Sequence, residues 1–199
     1  MMLRPPVDSF RRLLRPLWSV FSAAEETGVA AAEFAIYATL FLTVFAVTAD
    51  FSLLMFVEFQ MDSAVAAGAE YAALNAASVN STNGGSLASS ISNVVANANG
   101  SSWEDGTIVI NNGPTVTVTG GSSVASGTAS NADNCYCPTG TPPNWSWGSS
   151  ITCGSSCTGG SVAGKFVTIA ASRSFTALFP QFGFTQNGTI TRSALVETQ

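Results

Sequence analysis

Phe34-Ala-Ile-Tyr-Ala-Thr-Leu-Phe-Leu-Thr-Val-Phe-Ala-Val-Thr-Ala49 decides the fold, because it carries no charge, no proline and no glycine. A full hydrocarbon span needs about 20 apolar residues. Extending the run back to Val29 and on to Val57 supplies that length and takes in Glu33 and Asp50. At 1.5 Å per helical residue these two acids lie about 25 Å apart. The hydrocarbon core of a bilayer is about 30 Å thick, so one carboxylate falls near each face. The plain expectation for both is a side chain that snorkels at an interface.

The flanks give a direction. Arg4, Arg11, Arg12 and Arg15 precede the apolar run, whereas Glu58, Asp62 and Glu70 follow it with no nearby Lys or Arg. The positive-inside rule puts the N-terminus in the cytoplasm and the body outside. A cleaved secretory signal, cut after Ala49 or Ala67, is the competing reading. The run is longer than a signal core of about 7–15 residues and lies far from the basic segment, which favours a retained anchor. From Glu58 to Ala77 helix formers continue with one interruption, Gly68. One helix from about Val29 to Ala77 is therefore expected, ended by the turn cluster Asn80–Ser86. Its alanines Ala64, Ala66, Ala67, Ala69, Ala72 and Ala73 make a small-residue surface that lets another helix approach closely. Packing on the chain's own domain is the alternative use of that surface.

Composition excludes several classes of function. Of 199 residues 46% are apolar and 10% charged, and the net charge is −5. Soluble domains average about 25% charged. With no basic patch, nucleic acid is not an expected partner. The chain has no histidine, which removes the commonest general base and metal ligand together. Glu104 and Asp105 are adjacent carboxylates in a loop, with no nucleophile–base set beside them. No catalytic residue, metal or cofactor is expected, and the chain does not read as an enzyme.

Gly28-Val29-Ala30-Ala31-Ala32-Glu33-Phe34 resembles a prepilin processing site of the Flp/Tad type. With Asp50-Phe51-Ser52 and Ala67-Gly68-Ala69-Glu70-Tyr71-Ala72-Ala73, the segment is similar to the TadE-like family of tight-adherence pilus assembly proteins. Phe166 to Pro180 resembles the family more loosely. Three positions depart from its usual pattern: Thr39 where many members have proline, Asp50-Phe51-Ser52 where Glu-Phe-Gly is frequent, and Glu25-Glu26-Thr27 where basic residues are common. The resemblance implies a minor pilin or pseudopilin of a type IVc pilus, cut by a prepilin peptidase between Gly28 and Val29. It implies subunit docking through Glu33 and Phe34, and a second intramembrane or interfacial acid at Asp50. The implied partners are other pilins and pseudopilins, an inner-membrane assembly platform and the lipid bilayer. The alternative is an unprocessed, single-span anchored binding or adhesin module.

The rest of the chain reads as an α+β head. Leu87 to Ala98 has helical spacing. Thr107–Ile110 and Thr115–Thr119 flank Asn111-Asn112-Gly113-Pro114 as a hairpin, and Lys165–Phe175 and Thr189–Val196 are further strand candidates. A long N-terminal helix followed by a small antiparallel-sheet, pilin-like domain is expected. The division is a leader over 1–28, a span over 29–57, an outer helix over 58–77 and a head over 78–199. Cys135, Cys137, Cys153 and Cys157 suit disulfides in an oxidising compartment, with a four-thiolate zinc site and free thiols as alternatives. Bridging across the two pairs, in either order, would clip a loop within 131–160 that holds Trp145 and Trp147. Those tryptophans suit either a contact surface or a miniature core.

Overall fold

The structure, a computed structural model, describes residues 15–98, 105–180 and 188–199, with side chains from residue 28 onward. Arg4, Arg11, Arg12 and Glu104 lie outside the described residues. The chain divides into two units, Met1–Ala49 and Asp50–Gln199.

Helix α1 covers Arg15–Leu74 as one 60-residue element. It starts well before the expected Val29. Pro16 stands in the first turn, where its missing N–H costs no hydrogen bond, and no further proline follows within the helix. Gly28 and Gly68 are both passed without a break. The helix stops three residues short of Ala77, because Asn75 leaves helical geometry and its Nδ2 donates to the Tyr71 carbonyl at 2.8 Å. A 3₁₀ turn over Ala76–Ser78 follows.

Helix α2 spans Gly84–Ala98. Asn80 prepares its start: its Oδ1 accepts from the amides of Thr82 and Asn83 at 3.0 and 2.8 Å, an Asx turn that reverses the chain. Leu87, Ala88, Ile91 and Val95 form its buried stripe.

Seven strands follow: β1 Asp105–Ile110, β2 Thr115–Thr119, β3 Ser122–Ser126, β4 Thr139–Thr141, β5 Asn144–Ser146, β6 Phe166–Phe175 and β7 Gly188–Glu197. Five make one sheet in the order β3-β2-β1-β6-β7, with every pair antiparallel. The expected β1–β2 hairpin forms around Asn111 and Asn112, which take φ of 50° and 57°, a region asparagine tolerates better than most residues. The last two strands pair over ten residues, from Phe166 opposite Glu197 to Phe175 opposite Gly188. The α+β order expected from the sequence therefore holds. Strand β3 was not anticipated: Ser-Ser-Val-Ala-Ser is exposed throughout and shows no alternation to read.

The core lies between the sheet's inner face and the two helices. Met61, Ala64, Val65 and Ala72 of α1 and the stripe of α2 meet Ile108, Ile110, Val116, Val118, Val167, Ile169 and Ala171. Asn111 fastens the hairpin turn to its surroundings. Fully buried, it donates through Nδ2 to the Ala132 carbonyl at 3.0 Å and to that of Asn134, and it accepts the Phe166 amide at Oδ1 at 3.2 Å.

Candidate functional site

From Gly28 to Phe45, α1 leaves its large apolar side chains exposed, whereas Ala46 is 3% exposed. Phe34, Ile36, Tyr37, Leu40, Phe41, Leu42, Val44 and Phe45 are each more than half exposed. Water would penalise such a surface, whereas hydrocarbon would not. The threonines fit the same setting, because their hydroxyls are satisfied within the helix. Thr43 donates to the Thr39 carbonyl and Thr48 to the Val44 carbonyl, both at 2.8 Å, and Thr39 donates to the Ala35 carbonyl. A hydroxyl bonded to the carbonyl four residues back carries no unmet donor into lipid. Among the described residues, α1 is the one helix long and apolar enough to cross a membrane.

Gly28, Val29, Glu33 and Phe34 all lie on this exposed helix, with Val29 59% and Phe34 73% exposed. A Cβ added at position 28 would meet nothing within 4 Å. The four residues share one helical segment and have an open surface around them.

Asp50 departs from the snorkelling expectation. It is 3% exposed, at the first residue of the Asp50–Gln199 unit. Its two carboxylate oxygens accept the backbone amides of Leu178 at 2.8 Å and Phe179 at 3.1 Å. Both amides belong to the segment that leaves β6. One turn further along α1, Leu54 and Val57 pack against Phe175, Ala177 and Ile190. The acid is thus a lock between α1 and the end of the central strand. A buried carboxylate is tolerated when hydrogen bonds replace its hydration, and charged acceptors make the stronger bonds.

Two further contacts fix α1 to the last strands. Arg192 of β7 bridges Glu58 at 3.0 Å and Asp62 at 2.9 Å, acids one helical turn apart. Arg173 of β6 donates to Gln60 Oε1 at 3.4 Å. Glu58 and Asp62 therefore hold the last strand of the head to its helix. The small-residue run serves the head as well. A Cβ at Gly68 would stand 2.6 Å from Val95 Cγ2 and 3.3 Å from Ile169 Cδ1, so glycine is what lets α1, α2 and β6 meet there. Ala64 and Ala72 are buried in the same core, while Ala66 and Ala73 stay exposed.

The cysteines are joined across the pairs, Cys135 to Cys153 and Cys137 to Cys157. Between the bridges, β4 and β5 form a hairpin that carries Trp145. Trp147 packs edge-on against buried Tyr136, with ring centroids 5.9 Å apart. Both tryptophans are half-buried, so the loop has a small core and an aromatic surface together. Asp133, just before this loop, accepts the Ser81 amide at 2.9 Å. Its carboxyl is held below the usual range first by its side-chain bond with Ser81, then by the Ser81 amide, with a smaller pull from Lys165.

Sequence reasoning missed the Asp50 lock, since its donors are backbone amides and leave no side-chain signature. The Arg192 bridge had a readable signal, a Glu58–Asp62 pair at i,i+4 and an isolated arginine in a predicted strand.

A family profile described as TadE-like protein matches residues 28–70. No curated protein and no solved structure matches the chain significantly.

Proposed function

We propose that the chain is a TadE-like minor pilin or pseudopilin that acts in assembly of a tight-adherence, Flp-type pilus. In this reading it is a structural component and not an enzyme. One observation carries it: the residues matched as TadE-like are those in which α1 first leaves a run of large apolar side chains exposed and then buries a small-residue face in the head. A single inner-membrane helix holds the head outside the cytoplasm. Burial of Asp50 in the head favours ending the span at Ala49 rather than Val57.

A prepilin peptidase would cut after Gly28. Hydrolysis of a helical peptide bond needs local unwinding, and glycine lowers that cost by about 1 kcal/mol relative to alanine. The cut would free an amine on Val29, four residues from exposed Glu33. Glu33 is then placed to pair with the amine of a neighbouring pilin, which would offset a carboxylate's cost in the membrane of about 2–3 kcal/mol and set the axial register. Phe34 beside it would pack against the same neighbour. The assembly platform would receive the helix before it leaves the bilayer.

A second reading keeps the leader and makes the chain an anchored binding module. It is favoured by the passage of α1 from Arg15 through Gly28 without a break. Mass spectrometry of the mature protein separates the two, since an N-terminus at Val29 supports the pilin and an intact leader supports the module. Gly28→Phe sharpens the test. A Cβ added there meets nothing within 4 Å, so the variant's circular dichroism should match the parent's, and a loss of maturation in the folded variant reports on the cut. Normal maturation of Gly28→Phe would overturn the processing claim.

A further inference from the structure

The outer face of the sheet, turned away from the helices, is built of hydroxyls. Thr107, Thr117, Thr119, Ser172 and Thr191 line a trough of about 420 Å³, with Pro143 and Asn144 of the β4–β5 hairpin as one wall. A smaller cavity of about 110 Å³ adjoins it through Thr107, Pro143 and Ala170, and is lined by Trp145 and Trp147. The trough reaches across β2, β1, β6 and β7, which is about 14 Å at the usual strand spacing.

Three observations narrow what fits there. Among the described residues no cation lines either cavity, and the basic side chains described in the head are engaged elsewhere: Lys165 with the Val79 carbonyl, Arg173 with Gln60, Arg192 with Glu58 and Asp62. Among the described lining residues Asp105 is the charged one, which disfavours phosphates and acidic polymers. Trp145 and Trp147 are both half-buried and line the smaller cavity, so aromatic surface sits beside the hydroxyls. The two disulfides hold the tryptophan hairpin in place beforehand, which lowers the ordering cost of binding.

We propose that this trough binds a neutral oligosaccharide chain. Threonine and serine hydroxyls both donate and accept, as sugar hydroxyls require. Tryptophan offers an apolar face for the C–H side of a pyranose. This inference is independent of the pilus reading, because no described residue of α1 lines either cavity.

The test uses the full chain in nanodiscs of zwitterionic lipid, with cellotetraose, maltotetraose and mannotetraose as probes. The producing cell's own purified neutral polysaccharide is a further arm, separating a self-made ligand from a foreign one. Heparin and a neutral decapeptide are the controls. Tryptophan fluorescence and saturation-transfer NMR are read together. At least one saccharide should bind saturably, with half-saturation of about 0.1–1 mM, and heparin should not. Trp145→Phe shrinks the aromatic face from a fused bicycle to a single ring, and Thr107→Val keeps the side-chain shape while removing a hydroxyl. Each should weaken binding about fivefold. The proposal is overturned if no saccharide binds up to about 20 mM, if both variants bind as the parent does, or if heparin or the peptide binds more tightly than every saccharide.

Discussion

Replacing Asp50 with alanine removes both acceptors that hold the amides of Leu178 and Phe179. Hydrogen bonds to a charged group are worth about 1.5–3 kcal/mol each. Some of this returns when the freed amides reach water, so a net loss of about 3 kcal/mol is expected for the pair. For a unit of this size each kcal/mol moves the midpoint by about 2–4 °C, which gives a fall in Tm of about 6–12 °C. Asp50→Asn keeps one carbonyl oxygen and turns an N–H₂ toward the second amide, and should lose about half as much. Thermal melts followed by circular dichroism in detergent give the first number. Hydrogen exchange at Leu178 and Phe179 gives the more specific one: both amides should lose protection in Asp50→Ala, while those of the β1–β2 hairpin keep theirs. If the two amides exchange as slowly in the variant as in the parent, the lock described above does not hold this segment, and the reasoning fails.

Gly68→Ala gains about 1 kcal/mol of helix propensity but drives a methyl into Val95. Overpacking costs about 1–3 kcal/mol, so the variant should be neutral to destabilised, and adding Val95→Ala should remove the penalty; additive effects in the double-mutant cycle would rule out the contact. Cys135→Ser with Cys153→Ser should lower stability by about 3 kcal/mol, the loop-closure value for this ring size, and expose the β4–β5 hairpin to protease; unchanged melting would contradict the bridge's structural role. Because the Asp133 carboxyl is held below its ordinary value, its contribution is complete above the unfolded pKa of about 3.9 and fades as pH falls through the lowered folded value. The parent's stability advantage over Asp133→Asn should therefore be present near neutral pH and vanish in acid, and a gap that ignores pH would refute the assignment.

The sequence made the long helix legible because sixteen consecutive uncharged residues leave a chain few other options. The first hairpin was equally readable, since Asn111-Asn112-Gly113-Pro114 is turn chemistry between two β-branched runs. Strand β3 was hidden by its place at the edge, where no apolar side is required and serines suffice. Gly68 was visible as a small residue, but whether it faces another subunit or its own head depends on where Val95 and Ile169 arrive, and spacing does not encode that. The cysteine bridges were legible as a class and their order was not, because either crossing closes loops of similar length. Asp50 was the least readable. Its acid is conspicuous beside an apolar run, yet its partners stand 128 residues later in the chain.

The lock at Asp50 has a mechanical consequence. Within the Asp50–Gln199 unit it holds the first helical residue, and the Arg192 bridge and the Met61–Ala72 core follow along the same helix. A pull along the α1 axis therefore loads these attachments side by side, as in a lap joint. None can be peeled open one at a time from the near end. A head joined in this way resists tension with the sum of its fastenings.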